Sequence, residues 1–220
     1  MMADKKIISF SLWGDRPKYV QGAIENLALQ KIHYPDWKCR FYVDHSVPQA
    51  AIDILMKDAE VMYMSDSDGH FGLFWRFLPL DDLTVDRFIV RDTDSRLSAR
   101  EADAVKEWEQ SGKIFHIMRD HQGHVSVPIC GAMWGATKEF RPGCREIINK
   151  WLTDNKHLYS MHDRGKFFYT DQVFLAEYIW PLVADKHIAH ESVVSCYGGD
   201  KRPFPITNPD NMFVGKQIEL

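Results

Sequence analysis

The sequence predicts an α/β fold: a sheet flanked by helices in a single domain, with ligand loops at the carboxyl ends of the strands. Three observations predict it. Short apolar runs alternate with segments whose apolar residues recur at helical spacing. The early runs end in polar or glycine-bearing turns, among them Trp13-Gly14-Asp15, Asp44 and the block 91–96. With 220 residues, 45% hydrophobic and 26% charged, the chain can bury one substantial core and is too apolar for disorder.

Ile7 to Leu12 reads as the first strand. Asp15 is placed to cap the next helix, with Pro17 in its first turn and Tyr19, Val20, Ala23, Ile24, Leu27 and Ala28 at helical spacing. "CRFYVD" (39–44) reads as a strand, and Ser46 as the cap of a helix whose face is Ile52, Leu55, Met56 and Ala59. "EVMYM" (60–64) is a third strand, followed by the polar turn "SDSDGH". Residues 71–80 predict one short helix and 87–91 another strand. "SARE" (98–101) matches a capping box, in which Ser98 and Glu101 satisfy each other's free backbone donors, and its helix runs to Gly112. "KIFHIM" (113–118) and "CGAMWGA" (130–136) read as strands joined by "RDHQGHVSVP". A helix spans 144–152, and Thr170 caps another that Pro181 ends. "KHIAHESVV" reads as the last strand and "GGDKRPFPITNPDN" as a Gly/Pro-rich tail.

Composition excludes several classes. The net charge of −4 supplies no global positive field for nucleic acid or anionic lipid. No run approaches the roughly 18 apolar residues that span a bilayer, and "MMADKKIISFSLWGD" reads as a first strand rather than a signal peptide. Cys39, Cys130, Cys144 and Cys196 are scattered, without a C-x-x-C pair. Neither a zinc site nor a disulfide framework is expected, and reduced thiols in the cytoplasm are.

The chemistry concentrates in "DRFIVRDTDSRLS" (86–98), where a short apolar run delivers Asp92 and Asp94 one residue apart, flanked by Arg91 and Arg96. Two hard carboxylates at a strand end can hold Mn²⁺ or Mg²⁺, whose open positions take phosphate oxygens. The same residues also suit a solvated turn, and the spacing leaves both readings open. The apolar strand before the pair, its arginines and the capping box after it favour a site. Asp66 and Asp68 in "SDSDGH" form a rival pair that reads as a turn. A haloacid-dehalogenase site is disfavoured by Arg96 at its fifth position, and an EF-hand loop by Leu97 where glycine is required.

The segments "FSLWGDRPKYVQGAIENLAL", "YPDWKCRFYVD", "WRFLPLDD", "DRFIVRDTDSRLSAREADAVKEW" and "HIMRDH" together resemble a small family of GT-A glycosyltransferases of large viruses and bacteria. That family includes the amino-terminal domain of a chlorella-virus protein that glycosylates the capsid. The similarity spans roughly residues 5–200, and the R-D-x-D-S-R block is its most specific part. The resemblance implies a GT-A fold, a Rossmann-like mixed sheet, with a nucleotide-sugar half at 1–96 and an acceptor-side half at 97–220. It also implies a UDP-linked donor, Mn²⁺ or Mg²⁺, a glycan or glycoprotein acceptor, and retaining chemistry.

Carried over residue by residue, the resemblance makes Asp92 and Asp94 metal ligands, with His190 of "HIAHES" as a third. Leu12, Trp13, Gly14, Tyr19 and Asp44 fall where nucleobase and ribose sit. Arg76 and Arg91 become candidates for the diphosphate. Lys201 joins them, although "KRPF" begins eleven residues after His190, farther than the family's Lys-Pro. Asp171 and Gln172 face the reacting carbon. Arg119, Asp120 and His121 of "RDHQGH", with Gly131 and Trp134 of "CGAMWG", line the acceptor side, Trp134 stacking on a sugar. Plainer readings stand beside these: a core aromatic at Trp13, a surface ion pair at Arg76, a structural His190, and an acid at Asp171 that favours the helix dipole. A sugar-nucleotide pyrophosphorylase is disfavoured by the single glycine of "LWGDRPKY", and a DNA-base-modifying transferase by the net charge. A non-catalytic nucleotide-sugar-binding subunit stays open.

Overall fold

The computed structural model describes residues 4–64, 72–155, 170–207 and 212–219. Asp66 and Asp68 lie outside these residues. The strands are β1 (Lys6–Leu12), β2 (Lys38–Val43), β3 (Glu60–Tyr63), β4 (Arg87–Val90), β5 (Phe115–Arg119), β6 (Trp134–Thr137), β7 (His187–Glu191) and β8 (Asp200–Arg202). They form one mixed sheet in the order β3-β2-β1-β4-β6-β5-β7-β8. Every pairing is parallel except those of β6, which runs antiparallel to β4 and β5. From β1 the chain steps outward to β2 and β3, then returns to β4 on the other side of β1. Crossovers leaving in opposite directions open a crevice between the carboxyl ends of β1 and β4.

The helices are α1 (Pro17–His33), α2 (Gln49–Leu55), α3 (Gly72–Trp75), α4 (Ala99–Ser111), α5 (Cys144–Asp154), α6 (Thr170–Phe174) and α7 (Trp180–Val183), the last two joined by a π-turn at Leu175–Ile179. Strand alternation assigns them to two layers. Ile8, Phe10, Leu12, Phe41, Val43, Ile89 and Ile188 pack under α1, α2 and α4. Ile7, Phe88, Val90, Phe115, Ile117 and Trp134 pack under α3, α5 and the helical stretch that starts at α6.

Several local expectations hold and others change. Ser98 and Glu101 form the capping box, and Gly112 ends α4 at φ +68° in the left-handed region. Asp15 does not cap α1. Arg16 occupies the cap without a side-chain bond, and Pro17 opens the helix where its missing N–H is no loss. Ser46 does not cap α2, which starts behind Pro48. The expected helix over 71–80 divides into α3 and a 3₁₀ turn at Leu78–Asp81, because Pro79 has no N–H to continue the α ladder. Pro181 does not end the helix begun at Thr170 but sits inside α7. The wider π-turn before it removes the carbonyl clash a proline meets in a regular helix. β6 starts only at Trp134, β7 stops at Glu191, and β8 is a short edge strand within the expected tail. No helix among the described residues is long and apolar enough to cross a membrane.

Candidate active site

At the crevice, β1 ends in Leu12, Trp13 and Gly14. Leu12 is buried, whereas Trp13 is half-buried with its edge against Trp75, ring centroids 6.2 Å apart. Gly14 takes φ +74°, and its N–H donates to Ser46 Oγ at 2.7 Å. Ser46 in turn donates from its hydroxyl and backbone to Asp44 Oδ1, at 2.5 and 3.0 Å. The hydroxyl expected to cap a helix therefore ties the end of β1 to the end of β2. Tyr19 is half-buried on the first turn and a half of α1, with Lys18 Nζ 4.8 Å from its ring centre.

The loop after β4 sorts its charges by strand alternation. Arg91 follows Ile89 toward the α4 layer, where it is buried and donates to Glu101 Oε2 and Val90 O at 2.7 Å each. The diphosphate role expected for Arg91 is thereby corrected: its guanidinium is spent on the capping-box acid beneath the sheet edge. Asp92 points to the opposite layer, with its side chain 43% exposed, and Asp94 is 3% exposed. Lys18 Nζ lies 3.6 Å from Asp94 Oδ2. Burial, reinforced by neighbouring Asp92, raises the Asp94 pKa above the usual carboxylate range.

Helix α1 fixes this loop from below. Gly22 lies against Thr93 so closely that a Cβ there would overlap the Thr93 carbonyl. Asn26 donates to Ser95 O at 2.8 Å and accepts from Leu97 N at 2.9 Å. Arg96 pairs with Glu25 at 2.5 Å. Neither Gly22 nor Asn26 stood out as a site residue in the sequence. The available signal was a glycine inside an amphipathic helix, which weakens the helix unless a backbone must pass close by.

On the other layer, Arg76 follows α3, its N–H donating to Ser11 Oγ at 3.0 Å. Its Nη1 donates to Asp92 Oδ1 and its Nη2 to Asp171 Oδ2, the latter at 2.7 Å. Arg76 is thus a buried bridge rather than a surface pair, and its Nε has no hydrogen-bond partner among the described residues. Asp171 enters from the first turn of α6. Burial raises its pKa above the usual range, against the opposing charge of Arg76. Its Oδ1 accepts from the backbone N–H of half-buried Gln172 at 2.9 Å. Gly131 closes the pocket, where a Cβ would overlap Asp171 Oδ2 and stand 3.0 Å from Arg76 Nη2.

Other expected site residues lie elsewhere. His190 does not reach the Asp92 loop: it points into the α4 layer, bonded to His116 at 2.8 Å and Glu107 at 3.2 Å. Trp134 offers no face to a sugar, being fully buried between Phe77, Phe88 and Phe115. It donates from Nε1 to Gly131 O at 3.2 Å and so shapes the Gly131 turn from within the core. Lys201 Nζ is engaged by Ser195 O and Oγ at 2.9 and 3.1 Å. Arg119 is fully buried, paired with Glu191 and donating to Pro128 O. Asp120 and His121 do line a cleft, of about 480 Å³, with Arg100, Glu191, Phe204 and Phe213. Asp120 pairs with Arg100 at 2.6 Å, and His121 stacks on Phe213 at 4.3 Å.

Among the described residues, no group of three His, Cys, Asp or Glu side chains is placed to hold a metal ion. Asp92 and Asp94 nevertheless fit a hard cation of the Mg²⁺ or Mn²⁺ kind. Such ions take one or two carboxylates and fill the rest of their shell with water and substrate phosphates.

No family model and no curated protein matches the chain. Solved structures do, and what they show is its fold: the chain has the fold of the GT-A glycosyltransferases. A glycosyltransferase involved in glycosylating the major capsid of PBCV-1 is 13% identical at a TM-score of 0.52, over 86% of this chain and 82% of that one. The glycosyltransferase GlyE of Streptococcus pneumoniae TIGR4 is 16% identical at 0.54, over 86% of this chain and 45% of its own. The galactosyltransferase LgtC, solved with donor and acceptor sugar analogues, is 13% identical at 0.50, over 85% and 73%. The likeness at these identities is one of fold.

Proposed function

We propose that the chain is a metal-dependent glycosyltransferase that moves a sugar from a UDP-linked donor to a hydroxyl of a glycan or glycoprotein, with retention at the anomeric carbon. The observation that carries this reading is the meeting of Asp92, Arg76 and Asp171 at the switch point of a GT-A sheet. Asp92 and Asp94 would hold Mn²⁺ or Mg²⁺. A divalent ion there supplies charge neutralisation for the departing diphosphate.

The protein's own groups do the rest in this reading. Lys18, beside Asp94, adds positive charge on the diphosphate side. Trp13, Tyr19 and Asp44 frame the base and ribose next to β1 and β2. Asp171 and Arg76 present an acceptor and donors to the hydroxyls of the transferred sugar, and Gly131 lets both side chains pack close, where a Cβ would collide with them. Their burial excludes water, so these contacts act in a low dielectric. The acceptor enters the cleft at Asp120, His121 and Phe213, which supplies an aromatic edge without a free charge. The reaction belongs to the cytoplasm, where thiols such as exposed Cys196 stay reduced.

The deciding experiment is transfer from a panel of nucleotide sugars with Mn²⁺, read by mass and by the anomeric proton of the product. The expected result is one donor consumed, an axial or equatorial anomer matching that donor, and no Mn²⁺-dependent nucleotide binding in Asp94→Asn. Unchanged Mn²⁺-dependent binding in that variant would sink the site assignment.

A further inference from the structure

One guanidinium serves two acids of opposite exposure. Asp92 is open to solvent, with 43% of its side chain exposed, whereas Asp171 is sealed at 3%. Arg76 joins them through separate nitrogens, is itself only 5% exposed, and is anchored by its backbone to Ser11. Gly131 packs against the Asp171 carboxylate and Arg76 Nη2, so that end of the bridge has little room to move. The Asp92 end has a solvent side.

We propose that Arg76 is a positioning residue that couples the cation site at Asp92 to Asp171. This rests on the metal assignment made above. A divalent ion arriving at Asp92 meets a carboxylate that already carries a cationic partner, and two cations on one carboxylate repel each other. Arg76 therefore gives up part of its hold on Asp92 and tightens on Asp171. The coupling is reciprocal, as any coupling between binding equilibria must be. While Asp171 retains its charge, it draws Arg76 away from Asp92 and makes the cation easier to accept. Without that charge, Arg76 turns wholly to Asp92 and competes with the ion. Asp171 is then set for the sugar only after the cation is in place.

The rival explanation is that Asp171 attracts the ion directly through space. A double-mutant cycle separates the two, since a relayed effect disappears with its relay. Binding of Mn²⁺ alone, without nucleotide, is measured by electron paramagnetic resonance in the parent, Asp171→Asn, Arg76→Gln and the double variant. The expected loss for Asp171→Asn is about tenfold in the parent background. In the Arg76→Gln background it shrinks to less than about twofold. Equal losses in both backgrounds, or no loss in either, overturn the coupling and leave the metal assignment intact. A parent that binds no Mn²⁺ without nucleotide overturns the coupling, and the metal assignment is then judged by Mn²⁺-dependent nucleotide binding in the parent.

Arg76→Gln leaves a buried acid without its cation, and that variant is open to unfolding. The same coupling is therefore read in the parent protein by a titration with Mg²⁺ under arginine-selective ¹⁵N labelling. The Arg76 guanidinium signal, identified by its absence in Arg76→Lys, is expected to move in step with Mg²⁺ binding. A signal that stays fixed through saturation overturns the proposal.

Discussion

The loops after β4 and β5 leave the same sheet edge and are held by different kinds of support. The β4 loop, with Asp92 and Asp94, rests mainly on α1, a regular helix of 17 residues that contacts it through Gly22, Glu25 and Asn26, and takes one further bond, from Ile218 N to Asp94 O at 2.8 Å. The β5 loop rests on irregular chain near the carboxyl end. Val214 N donates to Asp120 Oδ2 at 2.9 Å, Phe213 stacks on His121, and Arg100, the partner of Asp120, donates to Ile206 O. A regular helix holds a carboxylate pair more rigidly than a loop holds a loop. If the proposed function holds, the difference gives preorganisation to the proposed donor side and adjustability to the proposed acceptor side.

The largest effect expected from this contrast is at Gly22. Alanine there gains about 1 kcal/mol of helix propensity but drives a methyl group into the Thr93 carbonyl. The net loss should be about 3 kcal/mol, as for other overpacked sites. Urea denaturation and Mn²⁺ titration of Gly22→Ala measure it, and a stable variant with intact cation binding would refute the rigid-support account. Next comes Asp171→Asn. At saturating metal and donor, turnover should fall by about 10², because the lost contact acts mainly in the transition state. A fully active variant with unchanged donor affinity removes Asp171 from the chemistry.

On the acceptor side, Phe213→Ala should raise the acceptor KM by about tenfold, the effect of losing a partly buried aromatic contact, and leave donor affinity alone. Steady-state kinetics with each substrate varied in turn test that split. Mild acid should also distinguish the two sides. Beneath the β5 loop, burial pushes the pKa of both His116 and His190 below the ordinary histidine value of 6.5. Groups with a depressed folded pKa stabilise the protein above 6.5, and that contribution is lost as pH falls below it. The slope is at most about 1.4 kcal/mol per pH unit for each histidine. Hydrogen exchange between pH 7 and about pH 5 should therefore show β5 and β7 losing protection before β1 and β2. The smallest effect is expected at Gly123→Ala, whose new methyl, among the described residues, meets only the exposed His121 ring at 3.2 Å. A stability change within about 0.5 kcal/mol is the outcome to check.

Much of the scaffold was legible because it is local. Alternating strands and helices, the Ser98–Glu101 box and Gly112 are each specified within a few neighbouring residues. The direction of β6 was not, since a four-residue strand carries no mark of whether its partners run with it or against it. β8 was missed because its Asp-Lys-Arg sequence is charged throughout and earns its place by edge pairing with β7. In the site, the sequence named Asp92, Arg76 and Asp171 separately. Their meeting through one guanidinium depends on which layer each side chain faces. The same layer assignment took Arg91 and His190 to the opposite side of the sheet, where Glu101 and Glu107 receive them.

The bridge through Arg76 joins residues 95 positions apart in the chain. Contacts of such long separation pay loop-closure entropy before they return any stabilisation, and they form late. Helix α1 and its strand neighbours can assemble while Asp171 is still far from Arg76. A refolding chain should therefore recover its helical circular dichroism first and its cation-linked site last. During that interval the molecule is compact but inert, and Arg76 is held by Asp92 alone, only 16 positions away in the chain.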